Sequence, residues 1–560
     1  MSRSWRNLAI LLFLGSLLFG GWLGDELLAV SGESQAQLRL YTELLHAAHE
    51  NYGADVDYRD LVYSSIDGML RALDPHTSFL SPEDYQDMRE RQQGSFFGLG
   101  ILVSMRDGEL TVISPIEGTP AWRLGLRAGD VISTIEGEPT STMSLDEAVA
   151  LLKGPRDTQV RVAITRRGLD EPLEMSITRA EIPQTTVRFA YMMTPEIGYI
   201  RLTDFSRSTS QEMRDALVDL QAAGMKKLLL DLRSNGGGLL DQTVTVSSYF
   251  VPEEAQIVET RGRLRDSYQA YFADDAYRPL GIPVIVLVNN GTASAAEILA
   301  GAVQDHDVGL VVGTDTWGKG LVQTVYNLSY GTGLALTTAK YYTPSGRLIQ
   351  RDYSSYYDYY GRFDEGVDES LDPSGAGGLG VDGADRDVPE DGSEAFATDL
   401  GREVYGGGGI TPDVVVELPE GPEMLSALFA RSAFFEFAVD YANRNTIEDP
   451  SWTPPDDMLN RFADFVVAEE IAEREAIDEM LENPDAREYS LRQIHGDIFN
   501  SAFGTEASHK ILSLGDFQIQ TALGLFDEAA ALLEERTRFG ADGEAQVADG
   551  GLESDGARAQ

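Results

Sequence analysis

Ser294 follows the apolar run Val284-Ile285-Val286-Leu287-Val288 and the turn Asn289-Asn290-Gly291-Thr292-Ala293, and it opens an apolar helical stretch over 295–303. A hydroxyl at a helix N-terminus faces backbone N–H groups that have no intrahelical partner, and such donors stabilise an oxyanion forming on an attacked carbonyl. The position suits a nucleophile, although serine is also the ordinary N-cap residue there. A nucleophilic serine needs a base. His306 lies about 18 Å further along a helix axis, out of reach, and His76 beside Pro75 is more simply a turn residue. Lys319, one of six lysines against 38 arginines, stands between Gly318 and Gly320. A lysine takes up a proton only as the neutral amine, so its pKa must fall from ~10.4 through loss of water, and Trp317, Leu321 and Val322 are apolar neighbours suited to that. Read alone, it is equally a solvated loop lysine. Gln323, four residues on, is spaced to hold the amine if the chain turns between them; otherwise it is a polar edge-strand residue. Further donors are offered by Asp231-Leu232-Arg233-Ser234-Asn235-Gly236-Gly237-Gly238, where glycines let backbone amides approach a reacting carbonyl. A phosphate cradle is the competing reading of that turn, but the Lys-Ser/Thr of a P-loop does not follow.

These residues require a common edge. The pattern predicts strands over 197–202, 227–232, 283–289 and 308–313 with helices over 211–223 and 295–303, and the unbroken apolar runs suit strands buried on both faces. In such sheets ligands meet the carboxyl ends of the strands, and a single βαβ unit carries Ser294 and Lys319 to the same edge.

The rest of the chain divides around that core. Residues 36–92 read as helices, from Leu38, Leu40, Leu44 and Leu45 and then Leu61, Ile66, Met69 and Leu70. Residues 94–183 read as a compact α+β module, with strands over 98–103, 110–113 and 160–164 and a helix over 145–152 started by a capping box of Ser144 and Glu147. The core spans 186–350 and 409–419. Between its two parts, residues 351–408 hold a tyrosine cluster and then much Gly, Asp and Glu, and are expected to be an exposed, largely disordered insertion. A helical region over 420–540 and a disordered acidic tail over 541–560 complete the chain.

Composition narrows the function further. The 560 residues carry 44 Lys and Arg against 91 Asp and Glu, a net charge of −47, which repels polyanions and argues against a nucleic-acid partner. No cysteine is present, which removes disulfides, thiolate metal sites and cysteine nucleophiles. Arg3 and Arg6, the apolar run from Leu8 to Leu23, and then Asp25 and Glu26 keep the order of an export signal. Residues 1–30 are therefore expected to be a signal anchor, or alternatively a cleaved signal peptide, with residues 31–560 outside the cytoplasm.

Gly291-Thr292-Ala293-Ser294-Ala295-Ala296-Glu297 and Gly318-Lys319-Gly320-Leu321-Val322-Gln323, with the glycine-rich turn before them, resemble the C-terminal processing peptidases, serine proteases with a PDZ domain. The resemblance extends to Leu73-Asp74-Pro75-His76-Thr77-Ser78-Phe79, Tyr342-Thr343-Pro344-Ser345-Gly346-Arg347 and Gly409-Ile410-Thr411-Pro412-Asp413, and covers about 36–415. It implies a multidomain α/β protein: a crotonase/ClpP-like αβ protease core, an inserted α+β PDZ domain at 94–183 and helical N- and C-terminal regions. It implies Ser294 as nucleophile, Lys319 as general base and Gln323 as the group orienting the lysine. The backbone amides of Gly237 and Ala295 would form the oxyanion hole, and Gly98, Leu99, Gly100 and Ile101 the loop that binds a peptide carboxylate. Thr292 and Ala296 depart from the family's usual serines. No metal or cofactor is implied. The expected partners are protein substrates with exposed C-terminal tails, an adaptor or a second copy through the C-terminal helices, and a membrane through the N-terminal segment; the location is periplasmic. Two rivals stand beside this reading, a catalytically inactive PDZ scaffold and an acyl-CoA enzyme on a crotonase-like core.

Overall fold

The computed structural model describes residues 32–106, 108–169, 171–351, 353, 394–419 and 422–555. Residues 1–30, expected to be an export signal or anchor, and most of the tyrosine-rich insertion lie outside them. Among the described residues no helix is long and apolar enough to cross a membrane.

Helices α1 (Gly32–Asn51) and α2 (Tyr58–Arg71) come first, then the strand β1 (Ser78–Leu80) and helix α3 (Pro82–Gln93). Residues read as helical from their leucine spacing are helical here, with Leu38, Leu40 and Leu44 exposed. The α+β module is next, with β2 (Ile101–Arg106), β3 (Glu109–Pro115), β4 (Val131–Ile135), α4 (Leu145–Leu152), β5 (Gln159–Thr165) and β6 (Leu173–Thr178), paired in the order β2-β3-β4-β5-β6. Leu110, Val112, Ile132, Ile135, Val160 and Ile164 form its core. α4 starts on the expected capping box, with Ser144 N–H donating to Glu147 at 2.8 Å and Glu147 N–H to Ser144 Oγ at 3.3 Å.

The core sheet runs β7 (Val187–Met192), β8 (Ile197–Leu202), β9 (Lys227–Asp231), β10 (Val284–Val288), β11 (Leu310–Gly313) and β12 (Val414–Val415), with β7 and β8 antiparallel and the other neighbours parallel. Alternation along its strands splits the apolar side chains between two layers. Leu228, Leu230, Val286 and Val288 pack with helices α5 (Thr209–Ala222), α6 (Leu240–Ser247) and α7 (Ala295–Asp305). Leu229, Ile285 and Leu287 pack instead with Ile519, Ala522, Phe526 and Ala529. These come from α8 (Phe517–Gly524) and α9 (Phe526–Asp555), so the last helices of the chain are the second layer of the core. α9 also runs past residue 541, into the stretch expected to be an irregular tail. The segment 422–503 builds its own helical bundle around Phe434, Phe437, Phe462, Ile477 and Ile494. That bundle is joined to the α+β module: the Arg106 guanidinium lies over the Phe435 ring at 4.1 Å, and Arg167 pairs with Glu436 at 2.7 Å.

Among the described residues a second sheet has five strands. In it Ser78–Leu80, Gly333–Tyr342, Gln256–Arg261 and Gln269–Phe272 lie in that order, with Leu321–Asn327 also paired to Gly333–Tyr342. One part of the expected disordered insertion is ordered. Ala395–Ala397 and Glu403–Tyr405 pair as a hairpin, Val404 is buried, and Arg402 bonds Asp307 and Asp413, each at 2.6 Å. Long-range ion pairing, which composition does not reveal, holds this hairpin down.

Candidate active site

Three loops leave the carboxyl ends of the adjacent strands β9, β10 and β11, and they carry the glycine-rich turn, Ser294 and Lys319 respectively. The βαβ expectation is met. Ser294 has φ 55 and ψ −119, a backbone that a non-glycine residue adopts only when its surroundings impose it. The group that bonds its amide is Glu297, which is fully buried. Its Oε2 accepts from Ser294 N–H at 2.7 Å and from Lys319 N–H at 2.9 Å; its Oε1 accepts from Gly318 N–H at 2.7 Å and Thr316 Oγ1 at 2.5 Å. One carboxylate oxygen thus bridges the two residues, whose amide nitrogens are no further apart than those two bonds laid end to end. Burial pushes the Glu297 carboxyl up, and the four donors pull it back toward the charged form. From the second sheet, buried Tyr341 repeats the bridge on the carbonyl side. Its Oη bonds the Ser294 carbonyl at 2.9 Å and also the Lys319 carbonyl.

The Lys319 ammonium is driven below its ordinary range by burial, against the opposing pull of Glu297 and Asp74. Nζ donates to Gln323 Oε1 at 2.9 Å. Gln323 cannot turn away, because its Nε2 donates to the His76 carbonyl at 2.5 Å. His76 is the turn residue expected, in a turn closed by Asp74, whose Oδ1 accepts from His76 N–H and Thr77 N–H at 2.8 Å each. The turn nevertheless reaches the site: burial and then the neighbouring Lys319 lower the His76 imidazole to about 4. His306 is remote as expected. It caps the far end of α7, bonded to Asp399 at 3.0 Å and to the Gln256 carbonyl at 2.7 Å.

Gly237 lies against Ser294, since a Cβ there would come within 2.8 Å of Ser294 Cβ and Ala295 N, and its φ of +100 also favours glycine. Ala295 is thus placed beside it. Gly237 N–H itself donates to Asn235 Oδ1 at 2.9 Å. The two departures from serine are both accommodated. Thr292 keeps the hydroxyl that donates to the Leu232 carbonyl at 2.9 Å, and Ala296 is wholly buried in α7. Of the other quoted motifs, Ile410 braces the lysine loop, its N–H donating to Thr316 Oγ1 at 2.7 Å, while buried Arg347 pairs with Asp305 at the far end of α7 at 2.7 Å.

Gly98, Leu99, Gly100 and Ile101 lie together on a cavity of about 570 Å³, with Val149 and Leu152 of α4 opposite and Arg188, Thr203 and Asp204 of the core along one side. The Leu99 and Gly100 carbonyls are taken by Ala121 N–H at 3.0 Å and Ile116 N–H at 2.9 Å. In trans peptides the amides of Gly100 and Ile101 therefore point the opposite way. Sequence reasoning missed Glu297 and Tyr341 as bridging groups. Glu297 was legible as a carboxylate three residues after Ser294, in capping-box spacing, whereas Tyr341 had no local signal.

The sequence profile of peptidase family S41 matches residues 196–354, and that of the PDZ domain residues 111–166. The carboxy-terminal-processing protease of Bartonella bacilliformis is 41% identical over 318 residues, covering 56% of this chain and 73% of the relative. The carboxy-terminal processing protease CtpA of Bacillus subtilis is 35% identical over 312 residues, 55% of this chain and 66% of that protein. A carboxyl-terminal-processing protease of Synechocystis is 38% identical over 299 residues, 52% and 69% respectively.

Proposed function

Because this chain belongs to the carboxy-terminal processing proteases of peptidase family S41, we propose that it is an extracytoplasmic endopeptidase that cleaves proteins near their C-termini with a Ser294–Lys319 dyad. Neutral Lys319 donates one N–H to Gln323 and keeps its lone pair for the Ser294 proton. As that proton moves to Nζ, Oγ attacks the scissile carbonyl and a tetrahedral oxyanion forms. Its donors are the amides of Ala295 and Gly237, the latter after release from Asn235. The protonated lysine returns its proton to the leaving amine, and water deacylates the enzyme by the same route in reverse. The core has the crotonase/ClpP-like architecture, with the nucleophile at the start of a helix covering a mostly parallel sheet. The PDZ groove takes the substrate's free carboxylate on the amides of Gly100 and Ile101, while the strand β2 pairs with the tail.

The observation that carries this reading is the shared Glu297 oxygen, which joins a strained serine to a buried, depressed-pKa lysine. The test is degradation of an unfolded protein bearing an apolar C-terminal tail, with Ser294→Ala and Lys319→Ala in parallel. Loss of cleavage by at least about 10²-fold in both supports the dyad. Cleavage at the unmodified rate by either variant overturns it.

A further inference from the structure

We infer that Asp516, in the C-terminal region, is a positioning residue for the oxyanion loop, so that the cleavage site is complete only with the last helices docked. The inference rests on the dyad reading above and assigns those helices a part in the same reaction.

Arg233 begins the loop that runs to Gly237. Its backbone is held by Arg201, whose Nη2 donates to the Arg233 carbonyl at 2.7 Å. Its side chain lies between two carboxylates. On one side Nε and Nη2 meet buried Asp231, at 3.0 Å to Oδ1 and 2.7 Å to Oδ2. On the other, Nη1 meets Asp516 at 2.8 and 3.1 Å and Gln518 Oε1 at 3.0 Å.

Asp231 alone does not balance this cluster. It already pairs with Arg201 at 2.6 Å and accepts from Tyr199 Oη at 2.8 Å. Two guanidinium groups thus share one buried carboxylate, and Asp516 supplies the second negative charge that makes the cluster neutral. Asp516 is itself held in place. Its Oδ1 caps α8 by accepting from Ile519 N–H at 3.0 Å, and Gln518 Nε2 donates to the Val416 carbonyl at 2.8 Å, beside the edge of the core sheet. The next residue after Arg233, Ser234, has φ +58, a left-handed backbone that needs restraint, and its N–H also donates to Asn289 Oδ1 at 2.7 Å. Asp516 therefore acts through Arg233 and touches no reacting atom.

The test uses the full chain with Asp516→Asn and Asp516→Ala. Asparagine is a good N-cap, so Asp516→Asn removes the charge while leaving α8 capped. The expected result is a fall in kcat of about tenfold for Asp516→Asn and more for Asp516→Ala. KM and the inflection of the pH–rate profile stay within twofold and a few tenths of a pH unit, because neither the PDZ groove nor Lys319 is touched. A peptide boronate, which mimics the tetrahedral state, should weaken in parallel with kcat. Wild-type kcat in Asp516→Asn overturns the inference, as does a fall in Asp516→Ala matched only by its melting temperature. Ser294→Ala assayed alongside separates this from failure of the dyad, since activity surviving in that variant sinks the dyad whatever Asp516 does.

Discussion

A buried amine whose pKa is lower in the folded protein than in the unfolded chain makes folding depend on pH in a defined direction. Burial lowers the Lys319 pKa below its ordinary value of 10.5. Between the lowered and the ordinary value the unfolded chain binds a proton that the folded one lacks, so stability rises with pH through that window and is least below it. Lys319→Met, apolar and of similar length, should therefore melt at a higher temperature than the natural protein at pH 7. The gain should shrink as pH approaches 10.5, which thermal scans at several pH values would measure; a lower melting temperature for Lys319→Met at pH 7 would contradict the assignment. Under the proposed dyad mechanism the same protonation governs the rate, and kcat/KM should climb with pH to an inflection below 10.5. At this scale the sequence singled out candidates: Ser294, Lys319 and Gln323 stood out by type and position, each within a few residues of a strand end, and the family resemblance supplied their roles. Tyr341 did not stand out, since its partners come from two loops more than twenty residues away and no local pattern marks a buried tyrosine as a bridge.

The elements that carry these residues differ in how far local sequence specifies them. The α4 helix has a capping box and an apolar face, so its limits are set by its own residues. The core strands, apolar throughout, were legible for the same reason. The hairpin at 395–405 was not, because Arg402 gains its place from Asp307 and Asp413 across the chain. Tyr341 tests what an element contributes to the site, since it belongs to the second sheet yet joins the carbonyls of Ser294 and Lys319. Tyr341→Phe keeps the ring in its buried place and removes one hydrogen-bonding group. A stability loss of about 1 kcal/mol is expected from that group. If the bridge also sets the dyad, kcat should fall by about tenfold, with KM unchanged, in steady-state assays on a short peptide. A variant with the stability loss but full kcat would leave Tyr341 a core residue only.

At the scale of the whole molecule, the division into a protease core and a separate C-terminal helical region does not survive the packing. Leu229, Ile285 and Leu287 face away from α5, α6 and α7, and in this chain Ile519, Ala522, Phe526 and Ala529 cover them. Sequence periodicity identified helices there but not their destination, because an apolar helical stripe fits another helix as readily as a sheet. Ending the chain at residue 515 would expose that face of the sheet. Ile519 and Phe526 alone bury side chains worth roughly 1.5–3 kcal/mol each. Their loss takes away a large share of the ~5–15 kcal/mol that keeps a domain folded, and Asp516 goes with them. The truncated chain should therefore aggregate or melt at least 10 °C below the full one in calorimetry, whereas a truncation at 541, which leaves the four covering residues in place, should melt within about 2 °C of it. If the chain ending at 515 instead folds as stably as the full protein, the apolar face must have another cover, and the last helices would be an appendage after all.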